Sequence, residues 1–104
     1  MKLFLITFET HSQSRKTSIA EVLKAAKWWW HYIDSTWIIA TKRSLEEWRA
    51  AVRGVITEED SFLIIEVTNS ERNGWLPQQA WQWIRDKNVL CREERGEKGP
   101  NTDG

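Results

Sequence analysis

Two side chains suited to acid–base or metal chemistry, Glu9 and His11, lie close together near the start of the chain. Glu9 ends an apolar run, and His11 opens the polar segment that follows it. A carboxylate suits Mg²⁺, which prefers oxygen ligands, and a histidine titrates near neutral pH. The pattern predicts one of two things: a catalytic pair in which Glu9 holds the metal and His11 moves a proton, or the solvated end of a strand.

Other kinds of chemistry find little support in the sequence. It contains neither a glycine-rich phosphate loop nor the turn that presents a nucleophilic serine. Cys91 is the single cysteine, so no internal disulfide is possible, and it lies too far from the two histidines for a local zinc motif. Mg²⁺ is therefore the one cofactor that we expect, and only if the protein is a catalyst.

Charge is balanced overall but not along the chain. Residues 1–53 carry nine Lys and Arg against five acids, a net charge of +4, and the remainder carries six against ten, a net charge of −4. A surface for phosphate groups is thus expected on the first half, through Arg15, Lys16, Lys42 and Arg43. The alternative is that these cations simply lie on solvated helix faces.

Eight tryptophans in 104 residues require an explanation. Indole faces stack on nucleic-acid bases, but large aromatic side chains also fill cores and dimer interfaces, and the second interpretation is favoured. Trp28, Trp29 and Trp30 are consecutive in a segment of strand character, where neighbouring side chains point to opposite faces. We therefore expect this run to form a dimer interface or to meet a terminal helix.

The elements that position these residues follow from hydrophobic spacing and capping signals. Ser18 and Glu21 have the spacing of a capping box, as do Ser44 and Glu47, so a helix is predicted to start at each serine. The predicted strands are Lys2–Glu9, two pieces of residues 28–41 separated by Asp34-Ser35, and residues 61–68.

The resulting order, strand, helix, two strands, helix, strand, predicts an α+β fold, a ferredoxin-like βαββαβ sandwich. A short helix containing Ala80, Trp81 and Ile84 is expected to follow and to end near Lys87. The prediction is one domain over residues 1–90 and a disordered polar tail over residues 91–104. Both faces of the sheet are apolar, so the terminal helix or a second subunit must cover the face that the two main helices leave open. No segment suits a membrane span, and a cytoplasmic location is expected.

Residues 2–87 resemble the small bacterial proteins called SinR-like, and more distantly the Cas-two proteins of CRISPR adaptation and the VapD-type ribonucleases. The segments that carry the resemblance are residues 29–32, residues 34–38, residues 61–68 and Gly74-Trp75. The resemblance implies the βαββαβ fold and a homodimer. In Cas-two-like proteins an aspartate at the end of the first strand is the presumed metal ligand, and the matching residue here is Glu9.

Two functional hypotheses follow. The favoured one is a small dimeric Cas-two-like binding or scaffold protein that contacts RNA or DNA, and a protein partner is also compatible with that role. The alternative is a Mg²⁺-dependent endoribonuclease with Glu9 at the dimer axis. Glutamate is longer than aspartate by one methylene, which displaces the carboxylate and argues against a preorganised metal site.

Overall fold

The computed structural model describes residues 1–94, and this part of the chain is a mixed α+β fold with a four-stranded antiparallel sheet and three helices. In chain order the elements are β1 (Lys2–Glu9), α1 (Gln13–Leu23), β2 (Trp28–Ile33), β3 (Thr36–Thr41), α2 (Leu45–Arg53), β4 (Ser61–Glu66) and α3 (Gln78–Glu94). Within residues 1–94, no helix combines the length and the apolar character that a membrane span needs.

The strands lie in the order β2-β3-β1-β4, so β1 and β3 are central and β2 and β4 form the edges. Along β1, Leu3 pairs with Ala40 of β3, and Ile6 pairs with Ile64 of β4. A central strand is covered on both faces, which explains why β1 is apolar at successive positions. The β2–β3 turn falls at the predicted Asp34-Ser35, and Ser35 has a positive φ of 64°.

Helices α1 and α2 pack on one face of the sheet and enclose the larger core. Its members come from β1, β3, both helices and the α1–β2 connection: Phe4, Ile6, Phe8, Ile19, Leu23, Ala26, Trp37, Ile39, Trp48 and Val52. Ile19 and Leu23 of α1 are buried, and the predicted capping box of Ser44 and Glu47 is formed at the start of α2.

Helix α3 covers part of the opposite face. Ile84 and Cys91 of this helix form a second buried cluster with Leu3, Ile38 and Ala40. The sheet face that α1 and α2 leave open is thus partly closed from within the chain. Of the two predicted covers, the terminal helix and a second subunit, the terminal helix covers this part of the face.

The predicted start of the first helix at Ser18 is wrong. Helix α1 begins at Gln13, and the Oγ of Ser12 accepts a hydrogen bond from the backbone N–H of Arg15. The hydroxyl of Ser18 instead donates to the backbone carbonyl of Ser14, 3.1 Å away. A serine within a helix can satisfy its hydroxyl on the preceding turn, so the Ser-x-x-Glu spacing does not by itself mark a helix start.

Helix α3 is also longer than predicted, because it continues past Lys87 to Glu94. Cys91 lies seven residues after Ile84, so it falls on the same side of the helix and is completely buried. Residues 91–94 therefore belong to the helix and not to a tail. The rest of the predicted tail, residues 95–104, lies outside the described residues.

Candidate nucleic-acid interface

The predicted catalytic residues Glu9 and His11 are both exposed, at the end of β1 and in the bend before α1. Glu9 lies opposite Ser61, the first residue of β4. Within residues 1–94, no group of three or more His, Cys, Asp or Glu side chains is placed to hold a metal ion. A metal role for Glu9 and a proton-transfer role for His11 stay predictions.

Arg15 and Lys16, two of the four cations predicted to bind nucleic acid, are paired with acids of the same chain. The Nε of Arg15 donates to Oδ2 of Asp60 over 2.7 Å, and the Nη2 of Arg15 donates to Oδ1 of Asp60 over 3.3 Å. The Nζ of Lys16 lies 2.7 Å from Oδ2 of Asp34. Both cations are therefore at least partly neutralised, which weakens their attraction for a phosphate group.

Asp60 is a structural acid, and nothing in its sequence context indicates that role. Its side chain is 1% exposed, and it also accepts a hydrogen bond from the backbone N–H of Thr57. The Arg15 guanidinium, followed by that N–H, holds the pKa of Asp60 well below its ordinary value. The carboxylate thereby ties α1 to the loop before β4.

Asp60→Asn is expected to lower the stability of the protein at neutral pH and to have a smaller effect in acid. Because the folded state depresses the pKa of Asp60, the ionised carboxylate stabilises the fold above the unfolded pKa of about 3.9, and this stabilisation is lost as the pH falls further. Urea unfolding of both proteins at neutral pH and near pH 2 measures the difference. If the difference in unfolding free energy between the two proteins is the same at both pH values, the ionised Asp60 carboxylate is not the source of the stabilisation.

Lys42 and Arg43, the other two predicted cations, lie at the opposite end of the sheet. They follow β3, whose Thr41 pairs with Lys2 at the start of β1, whereas Arg15 and Lys16 come after the end of β1. The guanidinium of Arg43 lies 4.5 Å from the ring centre of Trp48. The four cations thus do not form one surface, because an antiparallel sheet separates the two pairs by the length of a strand.

Another set of cations surrounds the start of the edge strand β2. The ammonium groups of Lys27 and Lys87 lie 4.7 and 4.4 Å from the ring centre of Trp28. The ammonium group of Lys24 lies 5.9 Å from the ring centre of Trp29. We call these five residues the lysine–tryptophan surface.

The lysines of this surface have no acidic partner among residues 1–94. Ion pairs in this part of the chain are formed by other cations, among them Arg15, Lys16, Arg43 and Arg49, which lie elsewhere in the fold. Lys27 and Lys87 come from different elements, the α1–β2 connection and α3, yet both reach the same indole. Three lysines without ion pairs within residues 1–94 therefore flank the start of this edge strand, two on its α3 face and one on the other face, and their positive charge attracts an anion to the edge.

The tryptophans that were predicted as a dimer interface have partners within the chain. Trp28 and Trp30 pack against the cluster beneath α3, and Trp29 lies 5.2 Å from Trp37 on the other face of the sheet. The His31 ring stacks on the Trp37 ring, with 4.2 Å between the ring centres. Trp29 keeps 39% of its surface exposed. Dimerisation through this run stays a prediction.

Neither a protein-family model nor a curated protein sequence gives a match to this chain.

Proposed function

We propose that this protein binds nucleic acid through the lysine–tryptophan surface and acts as a binding or scaffold protein. The observation that carries the proposal is the placement of three lysines, without acidic partners among residues 1–94, at the start of the edge strand β2. Lys27 and Lys87 lie against the ring of Trp28 on the α3 face of the sheet, and Lys24 lies against the ring of Trp29 on the other face. This surface replaces the predicted set of Arg15, Lys16, Lys42 and Arg43. The first two of those form ion pairs, and the set is divided between two ends of the sheet.

A single strand is the form of nucleic acid that this chemistry favours. Lysine ammonium groups neutralise backbone phosphates, and an indole face stacks on any base that is not already paired. Trp29 lies on an edge strand with part of its ring open to solvent, so a base can approach it. The surface holds no arrangement of side chains that selects one base, and binding is expected to tolerate sequence changes.

The fold supports relating the protein to the Cas-two-like group. The element order through β4 is strand, helix, strand, strand, helix, strand, and the sheet order is β2-β3-β1-β4. These features support the ferredoxin-like sandwich as the finer description of the fold, and they leave α3 as an addition after it. The homodimer and the SinR-like relationship are parts of the same proposal, because both rest on the resemblance in sequence.

Replacing the three lysines together by glutamine is expected to weaken binding of a fluorescent single-stranded RNA or DNA by roughly tenfold or more at low salt. The physical reason is the loss of three positive charges next to the stacking rings. Fluorescence anisotropy across a protein titration measures the change. Glutamine keeps part of the aliphatic stem, so the packing against Trp28 is partly retained.

The matched control replaces Arg49, Arg53 and Arg85, which are exposed on α2 and α3, by glutamine. This variant has the same net charge as the triple lysine variant but keeps the lysine–tryptophan surface. The proposal requires it to bind close to wild type. Equal losses in the two variants, or no measurable binding by folded wild-type protein, refute the proposed surface.

The same titration tests the nuclease alternative when it is run with Mg²⁺ or with EDTA and the oligonucleotides are then examined for cleavage. We expect the strands to stay intact in both solutions. Cleavage that requires Mg²⁺ and disappears in Glu9→Gln would establish the catalytic role predicted for Glu9. Glu9→Gln is expected to bind like wild type, because Glu9 is not part of the lysine–tryptophan surface.

A further inference from the structure

The loop between β4 and α3 presents a tryptophan entirely to solvent. Trp75 is 100% exposed, whereas the buried tryptophans Trp37 and Trp48 are 2% and 0% exposed. Tryptophan carries a large apolar surface, so leaving it wholly in water gives up the hydrophobic stabilisation that its burial provides. An exposed indole beside further exposed apolar surface is a candidate for a contact made outside the single chain.

An apolar cleft lies next to this loop, on the sheet face that α3 covers incompletely. Its volume is about 270 Å³, and its floor and walls are mainly the apolar side chains of Leu5, Ile33, Ile38, Trp81 and Ile84. Residues 70–73 and Leu76, on either side of Trp75 in sequence, form its remaining wall. The exposed ring and the cleft therefore belong to the same part of the surface.

We propose that the occupant of this cleft is a second copy of the chain, and that each copy inserts Trp75 into the cleft of the other. In a two-fold symmetric dimer the same patch serves both copies, so a protruding group and the hollow that receives it must be neighbours on one chain. Trp75 and the cleft meet that requirement. Burial of one aromatic anchor in an apolar pocket is also the usual energetic centre of an interface.

The rim of the cleft carries charges of both signs, which suits pairing with itself. Glu71 and Arg72 are adjacent, exposed and part of the cleft wall. Arg72 donates to the backbone carbonyls of Val67 and Ser70 over 2.9 and 3.2 Å, so it also holds the loop in place. A two-fold axis beside the loop lets Glu71 of each copy approach Arg72 of the other.

Further apolar surface on the same sheet face extends the contact. Leu63 and Ile65 of β4 alternate with the buried-side residues Phe62 and Ile64, and they are 53% and 46% exposed. A standard interface buries about 800 Å² per partner, and one aromatic side chain supplies about 150–250 Å². The Trp75 ring alone is therefore too small to form the interface. The exposed side chains of Leu63 and Ile65 provide further apolar area beside it.

The proposed dimer surface shares no residue with the lysine–tryptophan surface. The inference rests on the homodimer of the proposed function and supplies its interface. Its test is made on purified protein without nucleic acid, so failure of this interface is distinguishable from failure of nucleic-acid binding at the lysine–tryptophan surface. Sedimentation velocity over a series of protein concentrations gives the dissociation constant of the dimer. Trp75→Ala is expected to raise that constant roughly 30-fold or more, as truncation of an interface anchor does.

Ile33→Glu tests the contribution of the cleft to dimerisation, whereas Trp75→Ala tests that of the protruding ring. Ile33 is 51% exposed at the cleft wall, so a carboxylate there blocks the cleft without entering the core. We expect a comparable rise in the dissociation constant. Val89→Ala, at a 46% exposed position of α3 that does not line the cleft, is the matched control and should dimerise like wild type. Circular dichroism confirms that each variant is folded.

Mixing the two variants separates this contact from a general loss of association. Trp75→Ala retains an open cleft and Ile33→Glu retains the tryptophan, so the mixture can form one of the two contacts and should associate more tightly than either variant alone. A wild-type protein that stays monomeric at all concentrations, or a Trp75→Ala protein that dimerises like wild type, overturns the proposal. So does a mixture that associates no better than its components.

Discussion

Trp48→Ala is expected to reduce the free energy of unfolding by about 3–5 kcal/mol, the usual cost of removing a buried aromatic side chain. Trp48 is 0% exposed at the centre of the core between the sheet and the helices α1 and α2. Its indole N–H donates to Oγ1 of Thr41 over 3.1 Å, so the substitution also removes a buried hydrogen bond. A domain of this size is stabilised by only about 5–15 kcal/mol in total.

The measurement is urea unfolding followed by circular dichroism, which does not depend on the tryptophan that is lost. Leu45→Ala, one turn earlier on the same helix and 38% exposed, is the matched control and should change stability by about 0.5 kcal/mol or less. A loss below about 1 kcal/mol in Trp48→Ala would mean that the core relaxes to fill the space. That result would contradict the close packing of α2 against β3.

The parts of the fold that the sequence predicts well are those with local and mutually consistent signals. β1 has the predicted bounds because its residues between Lys2 and Glu9 are apolar except for Thr7 and include no Gly or Pro, as fits a central strand. The β2–β3 hairpin turns at Asp34-Ser35, and Ser44 and Glu47 cap α2 reciprocally. In each case the residues that specify the structure are neighbours in sequence, so no tertiary contact is needed to decide between alternatives.

The errors arise where distant contacts select among local possibilities. Both Ser12 and Ser18 are acceptable helix starts, and the earlier start allows Arg15 to reach Asp60, which is 45 residues away in sequence. The extension of α3 depends on Cys91 packing on Leu3 and Ala40 across the sheet. Sequence periodicity gives no information about such partners.

The candidate site shows the same division. Lys24, Lys27 and Trp28 lie within five residues, so their proximity was visible in the sequence. Lys87 joins them only because α3 crosses the open sheet face and places its ammonium group at Trp28. The predicted cations Arg15 and Lys16 form ion pairs with Asp60 and Asp34, which come from other loops, so their pairing was not visible in the sequence. Their role in binding nucleic acid stays a prediction.

Binding of a single strand by the wild-type protein is expected to weaken by roughly 20-fold when salt rises from about 50 to 200 mM. The contribution to the slope of log affinity against log salt is about −0.7 for each phosphate neutralised on a single strand, and the surface offers three lysines. Lys24→Gln/Lys27→Gln/Lys87→Gln should therefore bind weakly and almost independently of salt. Fluorescence anisotropy at a series of salt concentrations gives both slopes.

Trp29→Ala separates stacking from charge in the same experiment. Removal of a stacking ring costs about 1–3 kcal/mol of binding free energy per base, but it releases no additional ions. Its binding curve should therefore shift to weaker affinity at every salt concentration with the wild-type slope. If Trp29→Ala instead flattens the salt dependence, or if the triple lysine variant keeps the full slope, then phosphates are contacted elsewhere and the lysine–tryptophan surface is not the binding site.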